Sequence, residues 1–253
     1  LLPAGTGSLA RGLPPCPRGT LFVLGERGGI SAASTAGFTV VFGRSVLDAH
    51  VCVGENDRRV SRRQGTLRSD GKRWTIHNAG TVPIRFPGSQ LLLYGHEELL
   101  PVAYTPLFIR TAPGREHLLE VRVAGNPSTP STACHDQLTE KPEMWELTER
   151  ERLVLVVLSQ RYLRHEAHPQ PLSWSQVAEE LGELQPHVRW TAKQAEHVVG
   201  GVRNRLVKQD VRGLTRLEVG EPVGNALNHN LLVELLLSTT LVPPDLRMLD
   251  EPF

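Results

Sequence analysis

The chain has 253 residues and a formal net charge of +1, and 40% of its residues are hydrophobic but only 5% aromatic. This length allows one large domain or two modest ones with their own cores, and we expect two. No stretch is apolar enough to span a membrane, and the start, LLPAGTGSLARG, lacks the basic and apolar regions of a signal peptide. We therefore expect a soluble cytoplasmic protein.

The cysteines and histidines form no recognisable site. Cys16, Cys52 and Cys134 are odd in number and far apart, which fits neither a disulfide framework nor the paired spacing of metal ligands. His165 and His168 are close in sequence, but no cysteine or carboxylate stands at a supporting interval. We expect reduced, structurally ordinary thiols, no metal and no cofactor.

Short β-branched runs characterise the first half of the chain from about residue 20 to residue 124: TLFVL, FTVVF, VCV, RWTI, QLLLY, PLFI and LLEVRV. Glycine, proline, serine or aspartate separates them, which is typical of an all-β sandwich, and we predict this domain over residues 13–124. Asp70-Gly71, between Ser69 and Lys72, predicts a hairpin because Asp-Gly between two strand-like runs favours a two-residue turn with positive φ.

The composition then changes. Residues 125–146 are rich in proline and small polar residues and have no periodic apolar face, so we predict a linker there. Beyond it the apolar period becomes helical, which predicts a helical domain over residues 147–240 and a tail over residues 241–253. The predicted fold class is mixed: an all-β sandwich followed by an α-rich domain.

Three capping-box motifs predict three helix starts. Thr148, Ser173 and Thr191 are each followed three residues later by glutamate or glutamine, so a hydroxyl and an amide or carboxylate can satisfy orphan backbone N–H groups reciprocally. After these helices, residues 211–220, VRGLTRLEVG, are predicted to form a short strand and loop. Residues 225–237, NALNHNLLVELLL, are predicted to form a closing helix.

Cations are concentrated between Gly43 and Trp74 although the whole chain is nearly neutral. They outnumber the anions there: Arg44, Arg58, Arg59, Arg62, Arg63, Arg68, Lys72 and Arg73 stand against Asp48, Glu55, Asp57 and Asp70. Such a run is often solvated surface, and it can also bind an anion. The sequence around this run favours anion binding over a merely solvated surface.

The residues FGRS, ENDRRVSRRQ and WTIHNAGTVPI stand in the order and spacing of a forkhead-associated (FHA) domain, and the chain resembles that family over about residues 20–124. The family is a β-sandwich whose loops at one end bind phosphothreonine. The resemblance implies that Arg44 and Ser61 contact the phosphate and that Arg62 adds charge and a backbone N–H. The predicted phosphopeptide-binding set is Arg44, Ser61, Arg62, Arg63 and Thr81. Arg63, together with Arg58 and Arg59, is expected to add a diffuse attractive field.

The chain departs from the family pattern at two places. Gln64 stands where the family usually has histidine; that position supports the loop, and an amide can take over its hydrogen bonds. Aligning Gly80-Thr81 with the family's Gly-Ser puts Val82-Pro83 where a polar residue and an asparagine normally hold the peptide backbone, and neither side chain can donate a hydrogen bond. We expect phosphate-dependent binding that is weaker and less selective than a complete loop would allow, or that needs a second contact on the partner.

The segments LTERERLVLVVLSQRYL, LSWSQVAEELG and VRWTAKQAEHVVGGVRNRLVKQ resemble a winged helix-turn-helix of the bacterial transcription-regulator type. In that fold the third helix enters the major groove, and residues 211–220 would form the wing. The candidate DNA contacts are Lys193, Gln194, His197, Asn204, Arg205, Lys208 and Arg212. Cations outnumber anions from Trp190 to Arg216, which favours phosphate contacts. A merely solvated face stays open as an alternative, and Gly200-Gly201 indicates a kink or a close neighbour.

No catalytic signature accompanies these motifs. We find no P-loop, kinase signature, Gly-x-Ser-x-Gly motif or paired carboxylates, and no base stands ready to activate Ser61, so we expect a protein that is not an enzyme. The leading hypothesis is a kinase-linked transcriptional regulator that binds a phosphothreonine protein and double-stranded DNA. The alternative is a scaffold in which both domains bind proteins without phosphate.

Overall fold

The computed structural model describes residues 1–2, 6–113, 115–125 and 144–250. The chain forms two compact units, residues 1–137 (the β unit) and residues 138–253 (the helical unit). Most of the predicted linker, residues 126–143, and with it Cys134, lies outside the described residues.

Eleven strands make up the β unit as described: β1 Leu21–Gly25, β2 Gly28–Ala32, β3 Thr39–Gly43, β4 Val51–Cys52, β5 Gly65–Ser69, β6 Trp74–Asn78, β7 Ile84–Arg85, β8 Leu91–Leu92, β9 Glu97–Leu99, β10 Tyr104–Ala112 and β11 Arg115–Val123. One sheet has the order β2-β1-β11-β10-β7-β8, and the other has the order β4-β3-β5-β6-β9. Only β3 and β4 pair in parallel; the other described pairs are antiparallel.

A single apolar core lies between the two sheets. Leu21 and Val23 from β1 share it with Val40 and Phe42 from β3, because alternate side chains of a strand point to the same face. Trp74 is fully buried there, and its indole N–H donates to the carbonyl oxygen of Gly19 at 2.8 Å. The prediction of an all-β sandwich is therefore confirmed.

Strand β1 is buried on both faces because the N-terminal segment covers its outer side. Leu9, in a 3-10 helix at Leu9–Arg11, packs with Phe22 and Leu24 in a second apolar cluster. The buried carboxylate of Glu120 holds the segment in place: Ser8 Oγ donates to it at 2.5 Å, and the backbone N–H of Leu9 donates at 3.0 Å. Ordered packing in this unit thus begins before residue 13.

The predicted hairpin at Asp70-Gly71 joins β5 to β6. The loop is longer than the predicted two-residue turn: Ser69 pairs with Trp74, so the four residues 70–73 lie between the strands, and of these only Gly71 has a positive φ, +95°. Asp70 Oδ1 accepts hydrogen bonds from the backbone N–H groups of Lys72 and Arg73 at 2.8 and 2.7 Å. The turn is therefore held by its own aspartate, a common way for this residue to stabilise a turn.

Five α-helices are described in the helical unit: α1 Glu149–Leu163, α2 Trp174–Leu184, α3 Ala192–Val207, α4 Arg216–Val219 and α5 Ala226–Leu237. The starts of α1, α2 and α3 carry complete capping boxes at Thr148, Ser173 and Thr191, so these three predictions are confirmed. Helix α1 is buried around most of its circumference, which makes it the central helix of this unit.

The predicted strand within residues 211–220 is wrong. This stretch forms a turn followed by α4, and none of the described residues from 144 to 250 lies in a strand. The reason is local: the carboxylate of Glu218 accepts from the backbone N–H and the hydroxyl of Thr215, at 3.0 and 2.7 Å. Thr215-x-x-Glu218 has the spacing of the other three capping motifs, so the sequence contained the signal that sets this start.

The residues after α5 pack against α1. Residues Pro243–Leu249 form a 3-10 helix, and Leu241 and Val242 before it are buried. Arg152 of α1 donates to the carbonyl oxygen of Thr240 at 2.8 Å and pairs with Asp245 at 3.3 Å. The segment 241–249 thus belongs to the core of the helical unit.

Candidate functional site

Three loops of the β unit lie together because the strands that carry them are neighbours in register. Phe42 of β3 pairs with Gly65 of β5, and Gly65 pairs in turn with Asn78 of β6. The loop after β3, the loop before β5 and the loop after β6 therefore leave the same end of one sheet. They carry Arg44, the Ser61-Arg62-Arg63 stretch and Thr81, which form the predicted phosphopeptide-binding set.

Backbone hydrogen bonds join the first two loops directly. The N–H of Arg44 donates to the carbonyl oxygen of Ser61 at 3.1 Å, and the N–H of Ser45 donates to that of Arg62 at 3.3 Å. The approach is so close that a Cβ at Gly43 would collide with the carbonyl oxygen of Arg62. This contact explains why glycine precedes the arginine at this strand end.

The side chain of Arg44 has an unpaired donor in this region. Its Nε is buried and has no hydrogen-bond partner among the described residues. A buried N–H without an acceptor costs about 1–3 kcal/mol, and native proteins contain few of them. An anion bound beside Arg44 would supply the missing acceptor.

Gln64 links the loop before β5 to the loop after β6 through its buried amide. Its Oε1 accepts from the backbone N–H of Ser61 at 3.1 Å, and its Nε2 donates to Asn78 Oδ1 at 2.9 Å and to the carbonyl oxygen of Val82 at 2.8 Å. Gly80 lies against the same amide, and a Cβ there would collide with it. Gln64 therefore supports the loops as expected for the residue that replaces histidine.

Two hydroxyl groups at this end are free to bind a ligand. In the described chain, the hydroxyls of the half-buried Ser61 and the exposed Thr81 make no hydrogen bond. Val82 packs its side chain against the core, and its carbonyl oxygen accepts from Gln64 and Asn78. Pro83 is exposed and carries no N–H. Donors for an anion are thus present, whereas side-chain donors for a peptide backbone are missing at these two positions.

A charged network fixes the loop before β5 to the hairpin β10–β11. Asp57 is 4% exposed and accepts from His117 Nε2 at 3.0 Å and from Thr111 Oγ1 at 2.5 Å. Glu26 lies on the other side of the imidazole, 3.1 Å from Nδ1. Because this imidazole lies between two carboxylates, its protonated form is favoured, and these contacts join the loop to the hairpin.

The pKa values of this network shift as the geometry requires. The hydrogen bond with Glu26, opposed by burial and supported by Asp57, raises the pKa of His117 above its usual range. Burial works against ionisation of Asp57, but hydrogen bonds from Thr111, His117 and the backbone N–H of Arg59 hold its pKa well below the usual range. Burial likewise opposes ionisation of Glu26, and hydrogen bonds from His117 and Gly54 lower its pKa.

The predicted DNA-contacting residues of α3 fall into two groups. Lys193, His197, Asn204 and Lys208 are exposed, as is Arg212 beyond the helix end. Helix α3 continues through Gly200-Gly201, and no described atom outside the helix's own nearby backbone lies within 4 Å of a Cβ at either glycine. The close neighbour offered as one reason for the glycines is therefore absent from the described chain.

The other two predicted residues have structural partners. Arg205 forms a two-pronged ion pair with Glu151 of α1, at 2.7 and 3.1 Å, and donates to the carbonyl oxygen of Glu146 at 3.0 Å. Gln194 closes the capping box of α3, where its Oε1 accepts from the N–H and hydroxyl of Thr191. The role of Gln194 was visible in the sequence as a capping position, but nothing in the local pattern indicated the partner of Arg205.

A shallow groove opens beside the N-terminus of α3, and sequence analysis did not single it out. Arg150, Lys193 and His197 line it. The guanidinium of Arg150 lies over the ring of Trp190, 4.8 Å from its centre, a distance that favours a cation–π contact. The basic character of the exposed α3 face thus extends onto α1.

The described residues contain neither a metal-binding cluster nor a membrane-spanning helix. No group of three or more histidine, cysteine, aspartate or glutamate residues there is arranged to hold a metal ion. None of the described helices is both long enough and apolar enough to cross a membrane.

No family model matches the chain, and no curated protein matches it. Solved structures similar to its N-terminal part are FHA domains. The first FHA domain of Mycobacterium tuberculosis Rv1747 is 22% identical and covers 42% of this chain and 97% of its own, with a TM-score of 0.33. An Arabidopsis thaliana FHA domain is 17% identical and covers 50% of this chain and 98% of its own, with a TM-score of 0.34. The N-terminal FHA domain of Saccharomyces cerevisiae Rad53, solved with a phosphothreonine peptide, is 15% identical and covers 41% of this chain and 93% of its own, with a TM-score of 0.33.

Proposed function

We propose that the β unit is an FHA-like module that binds a phosphothreonine-containing protein and that the chain acts as a regulator rather than an enzyme. The observation that carries the proposal is the buried, unpaired Nε of Arg44, at the end of the sheet where Ser61 and Thr81 offer free hydroxyls. A phosphate supplies several strong acceptor oxygens and nearly two negative charges, which matches these donors.

The proposed contacts have the strength needed to select a phosphate. A hydrogen bond to a charged group contributes about 1.5–3 kcal/mol, and a guanidinium can present two N–H groups to one phosphate. Arg44 and Arg62 provide charge, and Ser61 and Thr81 provide hydroxyl donors. A neutral threonine in the same position would leave the buried Nε without its acceptor, so the unphosphorylated peptide is rejected.

Val82-Pro83 limits how the rest of the peptide is held. The carbonyl oxygen of Val82 is already bound by Gln64 and Asn78, and Pro83 has no donor. The module therefore depends on the phosphate more than on the neighbouring peptide backbone. We expect broad sequence tolerance among phosphothreonine peptides and modest affinity for short ones.

Fluorescence anisotropy with a degenerate phosphothreonine peptide pool and its unphosphorylated twin tests this function. Wild-type protein is expected to bind only the phosphorylated pool, and Arg44→Ala is expected to weaken that binding at least about tenfold, which corresponds to one lost charge-assisted contact. Arg68→Ala, which removes an exposed arginine from β5, is the control and is expected to bind normally. Equal binding of both pools by the wild type would refute the proposal and favour a phosphate-independent scaffold.

The exposed face of α3 supports a second function, which we propose for the helical unit: binding to double-stranded DNA in a kinase-linked transcriptional regulator of the cytoplasm. Lys193, His197, Asn204 and Lys208 recur at helical spacing on this face, and Arg150 extends it. A helix with this spacing can enter the major groove without a β wing. The proposal therefore rests on the helix-turn-helix alone.

Salt-dependent binding to a random duplex separates this function from a scaffold role. Binding at low salt that falls steeply as salt rises is the expected result, and Lys193→Ala and Lys208→Ala should each reduce affinity and the salt slope. Glu179→Ala is the control, because it changes an exposed residue of α2. Absence of binding at low salt would contradict DNA recognition and favour protein partners for this unit.

A further inference from the structure

We propose that the loop over residues 53–64 binds anionic residues that flank the phosphothreonine. Arg58 and Arg63 contact these residues. The inference rests on the proposed phosphothreonine function and names the class of ligand: a phosphothreonine segment with further acidic side chains next to it. It starts from the balance of charges in the folded loop.

Both carboxylates of this loop already have cationic partners elsewhere in the β unit. Glu55 forms an ion pair with Arg27. Asp57 binds His117 at 3.0 Å and Arg115 at 3.2 Å. Neither carboxylate is available to neutralise the arginines that stand beside it in the sequence.

Three of the loop's four arginines have no partner in the described chain. The side chains of Arg58, Arg62 and Arg63 are exposed and make no hydrogen bond or ion pair with the residues that the structure describes. Arg59 differs, because its guanidinium donates to the carbonyl oxygen of Thr111 at 2.7 Å. The fold therefore leaves a concentrated positive charge next to the site where it also leaves Arg44 unpaired.

Hydrogen bonds hold the backbone of this loop in two consecutive turns. The N–H of Val60 donates to the carbonyl oxygen of Asp57 at 3.1 Å, which closes a turn around Arg58. The N–H of Ser61 donates to Gln64 Oε1, which closes the next turn around Arg63. Arg58 and Arg63 thus occupy consecutive turns on either side of Ser61, and the buried Val60 anchors the chain between them.

One phosphate does not account for all of this charge. Its nearly two negative charges are matched by Arg44 and Arg62 in the proposed site. Arg58 and Arg63 then face the parts of the ligand next to the phosphothreonine. Because Val82-Pro83 offers no side-chain donor to the peptide backbone, these guanidinium groups are the strongest remaining source of selectivity.

Protein rather than nucleic acid is the ligand that the loop favours. The sequence from residue 53 to residue 64, VGENDRRVSRRQ, contains no aromatic side chain on which a base could stack. Guanidinium groups pair readily with carboxylates and phosphates, and the long arginine side chain can reach along an extended peptide. A run of glutamate or aspartate beside the phosphothreonine supplies the complementary charge.

The test compares three peptides of one sequence with the full-length chain by fluorescence anisotropy. The first has phosphothreonine flanked by glutamates, the second has the glutamates replaced by glutamines, and the third has the glutamates but no phosphate. We expect the first to bind at least about fivefold tighter than the second at physiological salt, as a few exposed charge pairs would give. The preference is expected to shrink as salt rises.

Two loop variants and one control test whether Arg58 and Arg63 cause the preference for flanking glutamates. Arg58→Ala combined with Arg63→Ala is expected to abolish the glutamate preference while phosphate dependence persists, and the corresponding lysine variant should keep most of the preference. Arg68→Ala is the control for each of the two substitutions taken singly, because it removes one positive charge from β5, about 10 Å along the strand from the loop. It is expected to keep the full preference.

The possible failures are distinguishable. Equal affinity of the wild type for the two phosphorylated peptides, or a preference that the double alanine variant retains, overturns the inference and leaves the phosphothreonine function standing. Equal affinity for the first and third peptides refutes the phosphothreonine function itself. If the double variant instead loses affinity for a random DNA duplex and keeps its peptide preference, the loop is a nucleic-acid contact and the inference is wrong.

Discussion

The loop end of the β unit and the outer face of α3 both carry more arginine and lysine than acid, but the fold uses these side chains differently. At the loop end, Asp57 and Glu55 are paired with other cations, and in the described chain the side chains of Arg58, Arg62 and Arg63 and the Nε of Arg44 have no partner. On α3, by contrast, Arg205 is bound by Glu151. The number of positive charges in a segment therefore says little about how many of them can bind an anion.

The difference has a physical basis in which partners each residue meets. A charge that already makes short hydrogen bonds loses those bonds when a ligand binds, so its net gain is small. A donor that folding leaves without an acceptor gains the full interaction. By this criterion Arg44 is the strongest anion-binding candidate in the described chain, and Arg205 is the weakest of the predicted DNA contacts.

The largest effect is expected where the loop end depends on one buried side chain. Gln64→Ala should lower the free energy of unfolding of the β unit by about 2–4 kcal/mol, because Ser61 N–H, Asn78 Oδ1 and the Val82 carbonyl lose a partner in a buried place. Phosphopeptide binding should disappear with it. Urea unfolding measures the first effect, and fluorescence anisotropy measures the second.

Gln90→Ala provides the matched control for this change. Gln90 is exposed, and its amide donates to Glu98 at the surface, so the variant should stay within about 0.5 kcal/mol of the wild type. A Gln64→Ala protein that is as stable as this control, or that still binds phosphopeptide normally, would show that the loops before β5 and after β6 do not depend on the amide.

On α3, alanine substitutions of Arg205 and Lys208 are expected to differ in their effects on stability and on DNA affinity, and these effects are smaller than that of Gln64→Ala. Arg205→Ala should lower the free energy of unfolding of the helical unit by about 1 kcal/mol, since a two-pronged pair with the partly buried Glu151 is lost. Lys208→Ala should leave stability nearly unchanged and reduce DNA affinity more than Arg205→Ala does. Urea unfolding and binding to a DNA duplex at low salt make the comparison. The reverse order of DNA effects, with unchanged stability, would show that Arg205 is available for binding after all.

The smallest expected effect is the pH dependence of the loop network. Because the pKa of His117 is raised in the folded state, its contribution is complete below its unfolded pKa and is lost as pH rises through the folded value. The lowered pKa values of Asp57 and Glu26 act in the opposite direction, so their contribution is lost as pH falls through the acidic range. The β unit should therefore be most stable at mildly acidic pH and lose stability as the pH rises towards 9.

His117→Gln should remove the decline on the alkaline side, and the exposed His96→Gln should preserve it. Urea unfolding of both variants at intervals from pH 5 to pH 9 gives the comparison. A wild-type stability that is flat across this range would mean that the imidazole does not hold its proton between the two carboxylates.

Local sequence patterns were enough to predict several parts of this protein. The capping boxes at Thr148, Ser173 and Thr191 act within four residues, so their hydrogen bonds form wherever the chain folds, and the helix starts follow directly. The same reasoning covers the place of the hairpin at Asp70-Gly71, although its loop has four residues rather than the predicted two. The expected strand within residues 211–220 failed for a local reason too, because the capping pair Thr215 and Glu218 was overlooked.

Other parts depended on partners far away in the chain. Strands β2 and β5 have the sequences GGISA and GTLRS, which are poor in large apolar residues, and they become strands because β1, β3 and β6 pair with them. Gln64 acquires its role only when the end of β6 and the loop after it come to lie beside its amide.

The availability of the arginines was decided in the same way. Asp57 is hydrogen-bonded to His117, 60 residues away, and Arg205 is paired with Glu151, 54 residues away. Composition and spacing determined that arginine and lysine side chains would collect near Ser61 and on α3. Tertiary structure alone decided which of them stay free, because an ion pair forms between side chains that the fold brings within about 4 Å, whatever their separation in sequence.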